Sequence, residues 1–264
     1  MSFQPIVPFG GYSGWTFLNR TKEAQLETFR DSSDIQRDVE YFKENIGNVK
    51  TAEDLVSDHT LRKVALGAFD LDDDMDNIYF IQKVLSDGIL DDDALANKLT
   101  DTRYYDMAKA FGFDLSVPNT ALSSFADDIA TKFEEQQFEI AIGDQDANMR
   151  LAMSLDRELA ELSEKTTSDD GRWYSVMGNT ALRSTLETAL GLPNSLGSLD
   201  LDQQLKEFRD KTERYFGNSE ISQFADPEAR QEMLRLFLVR AELQSTSTQY
   251  SSAANALSLL SGAY

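Results

Sequence analysis

The sequence predicts an all-α protein, a multi-helix array built from two similar helical half-units. Apolar residues recur at intervals of three and four along most of the 264 residues, which is the spacing of one face of a helix. The stretch from Asp58 to Asp101 resembles the stretch from Asn179 to Asp226 in its order of polar and apolar residues. Two half-units of this kind can bury complementary apolar faces, so we predict an internal duplication.

The same patterns divide the chain into four parts. Residues 1–20 are predicted to form an extended N-terminal arm, because prolines and glycines interrupt a segment rich in aromatic residues. Residues 21–118 and 119–243 are the two predicted half-units. Residues 244–264 are predicted to form a polar linker and a C-terminal tail, which is too short to be a stable helix by itself.

Helix boundaries are marked by capping residues and by one glycine. Thr51 begins a capping box, and Asp58, Asp101 and Asn179 each stand immediately before an amphipathic run. An aspartate in such a place could be a ligand, but a helix N-cap explains it better, because the carboxylate accepts N–H groups that lack other partners. Gly143 is predicted to separate two helices in the central part of the chain.

The charge of the chain narrows the classes of partner. Forty-six acidic residues against 25 basic residues give a net charge of −21 and an isoelectric point near 4.3. This charge repels nucleic-acid phosphates and anionic lipids, and no apolar run approaches the ~20 residues that cross a bilayer. We therefore expect a protein partner, no nucleic acid and no membrane insertion, and the sequence leaves the oligomeric state open.

Few residues offer catalytic or metal-binding chemistry. The chain has no cysteine, and His59 is its one histidine, which excludes thiolate sites and a di-iron bundle with two Glu-x-x-His motifs. The acidic segment Asp70–Asp76 resembles the start of an EF-hand loop. However, Met75 stands where that loop needs glycine, and Ile81 stands where it needs glutamate. We predict no metal, no cofactor and no catalytic residue, and hence a protein that is not an enzyme.

The two ends of the chain carry the candidate partner-binding residues. At the N-terminus these are Trp15 and Phe17, in an arm that either packs on its own domain or waits for a partner. In the tail they are Ala256, Leu257 and Leu260, which form a short apolar stripe. The stripe would either dock on its own domain or lie in a groove of another protein.

A small-molecule site is a less favoured alternative. Such a site would need an apolar pocket with a few convergent polar groups. Trp173, Tyr174, Arg150 and Arg183 are the residues that could gather in it, at the seam between the two halves.

Several segments carry a family resemblance: Val49–Leu55, Ala65–Phe69, Leu95–Leu99, Asp101–Tyr104, Ala108–Phe113, Met149–Ala152 and Leu190–Pro193. In these segments, and from Asp34 to about Leu243 as a whole, the chain resembles the bacterial family known as domain of unknown function 1217. The resemblance implies no catalytic residues. It implies a flagellum-associated role, since family members tend to be encoded among flagellar genes in alphaproteobacteria and some are labelled as basal-body rod proteins.

We therefore expect a non-enzymatic protein-binding factor associated with flagellar assembly or regulation. One alternative is a structural component of the flagellar basal-body rod or axis, because Ser252–Leu260 resembles the C-terminal assembly helix of flagellins. Prolines and glycines before residue 12 argue against the N-terminal helix that would pair with such a tail. The N-terminus has no early Lys or Arg, so we expect the protein in the cytoplasm, or at the flagellum after export without a cleaved signal.

Overall fold

The computed structural model describes the backbone of residues 3–261 and the side chains of residues 3–193 and 195–245. Over these residues the chain forms thirteen α-helices and several short 3₁₀ helices but no strand, which confirms the predicted all-α class. None of the helices in the described residues is long and apolar enough to cross a membrane. The helices are α1 (Gly11–Arg30), α2 (Ser33–Asn45), α3 (Ala52–Ser57), α4 (His59–Gly67), α5 (Ile78–Asp87), α6 (Leu95–Lys98), α7 (Thr102–Phe111), α8 (Phe125–Gly143), α9 (Ala147–Glu164), α10 (Asp169–Gly178), α11 (Thr180–Leu190), α12 (Leu201–Phe216) and α13 (Pro227–Ser261).

Side-chain caps begin the helices where the sequence predicted them. The Thr51 hydroxyl accepts the Asp54 N–H at 3.1 Å, and the Asp54 carboxylate accepts the Thr51 N–H at 3.0 Å, which completes the capping box. The Asp58 carboxylate accepts the N–H groups of Thr60 and Leu61, both at 2.9 Å. These bonds satisfy amides that have no acceptor within their own helix.

The predicted starts of two further helices and the predicted break at Gly143 are confirmed as well. Asp101 caps α7 by accepting the Arg103 N–H at 3.0 Å, and Asn179 caps α11 by accepting the Leu182 N–H at 3.0 Å. Helix α8 ends at Gly143, so the central stretch forms two helices, as the sequence predicted.

The chain divides into two compact units. Unit 1 consists mainly of Arg20–Asp144, and unit 2 consists of Val7–Asn19 together with the chain after Asp144. In unit 1, α2, α4 and α8 pack on one another, while α5 packs on α3 and α7. The central side chains of this packing are fully buried and belong to one apolar cluster: Phe42, Leu66 and Phe133.

Unit 2 has a core of three mutually packed helices, α9, α11 and α13. Leu159, Leu186 and Leu234 supply fully buried apolar side chains from these three helices. Helix α10 packs beside α12, where the buried ring of Trp173 lies 5.6 Å from that of Phe208. Burial of these stripes is the main source of stability, because helices in proteins are stabilised mostly by tertiary packing of an apolar face and only weakly by the intrinsic preference of the chain for a helix.

The N-terminal segment differs from the extended arm that the sequence predicted, because the chain is helical from Gly11 onward. Gly11 itself has φ of +64°, a conformation that glycine adopts without strain. Trp15 is 3% exposed, and its indole N–H donates to the Gln231 side-chain oxygen at 3.0 Å. Tertiary contacts of this kind stabilise a helix in a segment where the local prolines and glycines predicted none.

Two further boundaries differ from the predicted ones. The sequence placed the border between half-units at residue 118, whereas the two units divide near Asp144, because Phe125 and Phe133 of α8 are buried in the unit 1 cluster. The sequence also predicted a polar linker from residue 244, whereas α13 continues as one helix from Pro227 to Ser261. A linker rich in Ser, Thr and Gln lacks the Gly or Pro that would end a helix.

Replacement of Phe237 by Ala is expected to lower the free energy of unfolding by roughly 3–5 kcal/mol, because Phe237 is 2% exposed and its removal leaves a cavity in unit 2. Val239→Ala on the exposed side of the same helix is the matched control and should cost less than about 1 kcal/mol. Chemical denaturation of both variants measures the difference. Equal losses would contradict the packing described for α13.

The Asp58 cap should make stability depend on pH. Burial raises the pKa of the Asp58 carboxyl, but hydrogen bonds from the Leu61 N–H and the Tyr41 hydroxyl outweigh it, so the pKa lies below its ordinary value. A lowered pKa stabilises the folded state above the unfolded-state value and loses that effect as the pH falls through the folded-state value. The free energy of unfolding of wild type should therefore exceed that of Asp58→Asn by about 0.3–1 kcal/mol at neutral pH, because asparagine can also cap a helix but carries no charge to interact with the helix dipole. This difference should shrink as the pH falls below about 4.

Denaturant titrations at several pH values test this dependence on Asp58. Asp31→Asn is the control, because Asp31 is exposed and its carboxylate caps no helix in the described structure. A gap between wild type and Asp58→Asn that persists unchanged in acid would count against the carboxylate as the source of the effect.

Candidate functional site

The acidic segment uses its carboxylates to bind neighbouring side chains. The Asp74 carboxylate accepts the Tyr104 hydroxyl at 2.5 Å and the Asn77 amide at 2.6 Å, and Asp72 accepts the Gln137 amide at 2.8 Å. The pKa of the Tyr104 hydroxyl is raised above its ordinary value. Burial is the largest cause, and the hydrogen bond to the Asp74 carboxylate is the next largest. The segment therefore ties its loop to helices α7 and α8.

Charged side chains next to the acidic segment also form ion pairs. Arg103 binds Asp101 at 2.7 Å and Asp70 at 3.2 Å, and Asp70 has the left-handed φ of +58°. Among the described side chains, no group of three or more His, Asp or Glu residues is placed to hold a metal ion. His59 is exposed at the first position of α4, and the adjacent Asp58 hydrogen-bonds to backbone amides and to the Tyr41 hydroxyl.

The four residues of the suggested small-molecule site all belong to unit 2, where Arg150 is half-buried on α9. Trp173 is fully buried, and its indole N–H donates to the Ser219 carbonyl at 3.0 Å. The Arg183 guanidinium binds Glu187 at 2.8 Å and Gln204 at 2.7 Å, and the ring of Tyr174 is partly exposed. These contacts account for Trp173 and Arg183 as structural residues of unit 2.

Unit 2 has a cleft between α9, α11 and α13, with a volume of about 340 Å³. Leu151 and Phe237 supply apolar surface to it, while Asn148, Thr185 and Thr188 supply neutral polar groups. Among the side chains that the structure describes, none that lines this cleft is charged. Its chemistry fits a small neutral molecule or water better than an anionic or cationic substrate.

Helix α13 has two apolar stripes on different sides. One consists of buried residues in the unit 2 core, and the other continues on the outside of the helix through Val239, which is 39% exposed, and Leu243, which is 64% exposed. We call Leu236, Val239 and Leu243 the outer stripe. Their spacing of three and then four residues is that of one helix face.

The candidate partner-binding residues at the chain ends lie in different places. Trp15 is in the interior of unit 2, whereas Phe17 is half-buried, with its ring 6.0 Å from that of Phe9. Both belong to α1, so they support the fold of this segment. The side chains of Ala256, Leu257 and Leu260 lie outside the described residues.

Unit 1 has an exposed apolar surface that sequence reasoning missed. Leu90, Leu115 and Val117 are all exposed, and they stand in two loops, one after α5 and one after α7. We call these three residues the loop patch. Its one sequence signal is large aliphatic residues next to Gly88 and Asp114, in loops where polar residues are typical.

Asp114 holds the two loops of the patch together. Its carboxylate accepts the Ile89 N–H at 2.8 Å and the Leu90 N–H at 3.0 Å. Gly88 has φ of +64°, and a Cβ atom at this position would overlap the Asp114 carboxyl group. A glycine is therefore required here both by the backbone and by the close approach of Asp114.

Comparison with known proteins identifies the family. A family model described as "Protein of unknown function (DUF1217)" matches residues 68–229, which is more than half of the chain. The chain belongs to the DUF1217 family. This confirms the resemblance drawn from the sequence motifs. The loop patch lies within the matched DUF1217 region, whereas the outer stripe of α13 follows it.

A solved structure is similar to this DUF1217 protein over most of its length. It is the X-ray crystal structure of a protein from Agrobacterium tumefaciens that was a structural genomics target. The two chains share 26% sequence identity with a TM-score of 0.72, and the match covers 92% of this chain and 99% of that one. No curated protein matches this sequence.

Replacement of Gly88 by Ala should lower the free energy of unfolding by about 2 kcal/mol or more, because the backbone conformation excludes a side chain and Asp114 must move. Gly47→Ala is the matched control, since no atom lies within 4 Å of the added Cβ and φ at Gly47 is not positive. That control should change stability by less than about 1 kcal/mol. Thermal or chemical unfolding measures the stability of both variants. An equal loss of stability in Gly88→Ala and Gly47→Ala would contradict this loop geometry.

Proposed function

We propose that this DUF1217 protein is a non-enzymatic factor that binds another protein in flagellar assembly or regulation. The observation that carries protein binding is the outer stripe of α13, where Val239 and Leu243 expose apolar surface on a helix whose opposite side is already packed. The flagellar association is supported by the family resemblance alone. An apolar stripe left exposed on a folded helix is typical of a docking surface.

The sequence extends the outer stripe beyond Leu243. Apolar residues continue at alternating intervals of four and three, interrupted by Thr246, which is the spacing of positions a and d in a heptad. The backbone of α13 remains helical to Ser261, so these positions belong to the same helix. They are Tyr250, Ala253, Leu257 and Leu260, which include two of the candidate residues in the tail.

The end of this helix is also free of charge in an otherwise highly charged chain. After Glu242 the sequence contains no Lys, Arg, Asp or Glu. A helix without charged side chains can enter an apolar groove of a partner without desolvating an ion. We therefore propose a partner that accepts a helix, either in a groove or as one member of a coiled coil.

The described side chains support a non-enzymatic role. The cleft of unit 2 is lined by neutral groups, and the acidic segment binds tyrosine and amide side chains. Catalytic acids and bases are usually found where a cleft meets titratable groups with shifted pKa values. Tyr104, whose pKa is raised, serves instead to hold the acidic segment to α7.

A structural component of the flagellar axis is the alternative proposal. It is favoured by the helical N-terminus, because the sequence argument against an axial role assumed that no helix forms there. Trp15 of α1 binds Gln231 of α13, so helices from both ends of the chain are in contact. An axial role requires that copies of the chain polymerise, whereas a binding factor remains a discrete particle.

We also propose that the two units arose by duplication. Each contains three mutually packed helices, α2, α4 and α8 in one and α9, α11 and α13 in the other. The middle helix of each trio begins at a capped residue that the sequence pattern paired, Asp58 and Asn179. This packing equates α8 with α13 and leaves α6 and α7 additional in unit 1, whereas the sequence pattern, which pairs Asp101 with Asp226, equates α7 with α13.

Affinity capture from the native bacterium tests the proposed function with Leu243→Ser as the decisive variant. We expect the wild-type chain to capture one or more flagellar proteins. The captured amount should fall by about tenfold or more in the variant, because an apolar side chain that would be buried against the partner is replaced by a hydroxyl. Leu201→Ser is the matched control, since Leu201 is 53% exposed on α12. Capture that is equal for all three proteins would contradict binding through α13.

Two measurements separate the alternatives. Sedimentation over a range of concentrations should give one particle size for a binding factor, and growing particles for an axial component. Deletion of residues 246–264 should remove binding, yet it should lower the free energy of unfolding by only about 1 kcal/mol or less. If no flagellar protein is captured, the flagellar association is contradicted. The role of α13 in binding is then decided separately, by comparing wild type with Leu243→Ser.

A further inference from the structure

We propose that the loop patch of unit 1 is a second docking surface, and that it binds a basic amphipathic segment of another protein. Leu90 is 68% exposed, Leu115 is 42% exposed and Val117 is 63% exposed, and the hydrogen bonds to Asp114 bring their two loops together. A single exposed leucine is ordinary on a protein surface, but three aliphatic side chains in two adjoining loops need an explanation.

The loops are held in one conformation before any partner binds. Asp114 fixes the first loop through the amides of Ile89 and Leu90, as described above. The Asn97 amide donates to the carbonyls of Ile89 at 3.0 Å and Asp91 at 2.8 Å, which fixes the same loop from its other end. A surface that is ordered in advance loses less conformational entropy on binding.

The charge around Leu90 identifies the kind of partner. Three consecutive exposed aspartates, Asp91, Asp92 and Asp93, follow it directly. Lys98 pairs with Asp93 at 2.8 Å, whereas Asp92 makes no hydrogen bond or ion pair within the described structure. A partner with apolar anchors for the patch and Lys or Arg beside them would complement both features.

The same charge argues against two other occupants. A second copy of this chain would bring a net charge of −21 against an acidic rim, and an anionic membrane would be repelled in the same way. This surface lies in unit 1 and its binding does not require α13. Its failure and the failure of the proposed function are therefore separable.

Selection from a library of random peptides of helix-forming length tests the proposal. The wild-type chain is the bait, and the double variant Leu90→Ser/Val117→Ser is the counter-selection. We expect enriched peptides to combine Leu, Met or Phe with Lys or Arg, and their affinity to fall by about tenfold or more in the double variant. No enrichment, or enrichment of acidic or neutral peptides, overturns the proposal.

Matched variants separate the apolar and the charged contributions. Asp91→Asn/Asp92→Asn should weaken an enriched peptide several-fold, and the loss should shrink at high salt. Asp202→Asn/Glu213→Gln removes two exposed acids from unit 2 and should leave the affinity unchanged, as should Leu201→Ser. Equal losses in both pairs of acid variants would mean that the peptide binds the net charge of the protein, which overturns the proposal.

Two physical measurements complete the test. Circular dichroism and thermal unfolding of Leu90→Ser/Val117→Ser should match wild type, because both side chains are largely exposed. Sedimentation should give the same particle size for wild type and the double variant. A dimer that dissociates in the variant would identify the loop patch as an interface between copies of this chain, and would overturn the basic partner.

Discussion

The capping of helix N-termini by side-chain carboxylates is the interaction on which the rest of this structure depends. A chain with a net charge of −21 repels itself when it becomes compact, so its aspartates destabilise the fold unless they are placed where negative charge is favourable. Asp58, Asp101, Asp146 and Asp200 all accept amide N–H groups at the first turn of a helix. There the helix dipole and the free amides both stabilise a carboxylate.

These caps have consequences for packing as well as for charge. A cap fixes the residue at which a helix begins, and thereby fixes which residues lie on its buried face. Asp58 begins α4 so that Leu61, Val64 and Ala65 lie together in the unit 1 cluster. Short connections between capped helices then leave few ways to arrange the chain, and each unit places three helices around a common apolar core.

Local signals made the helix boundaries predictable, whereas long-range contacts decided the rest. Thr51, Asp58, Asp101 and Asn179 could be recognised because a cap involves residues that are neighbours in sequence. The helical N-terminus could not, since it depends on the contact between Trp15 and Gln231, which are 216 residues apart. The border between units was misplaced for the same reason, because the assignment of α8 depends on which distant aromatic residues it meets.

The candidate surfaces also differ in how far local sequence signals predicted them. The tail stripe of Leu257 and Leu260 was predicted from spacing. The outer stripe and the length of α13 were not, because a polar linker was expected from residue 244. The loop patch had no periodic signal, since its residues stand in two loops that the hydrogen bonds of Asp114 bring together. Whether a loop residue is exposed depends on how the whole chain folds. The spacing of apolar residues along the sequence does not predict it.

The two proposed surfaces differ in a way that bears on how partners would reach them. The loop patch has an acidic rim, so a basic partner would be attracted over a distance of about one Debye length and would associate more slowly as salt is added. The end of α13 has no charged residue after Glu242, so its association depends on burial of apolar surface. Moderate salt weakens the first kind of contact and leaves the second nearly unchanged. The two proposals together thus predict two partners whose binding would respond differently to ionic strength.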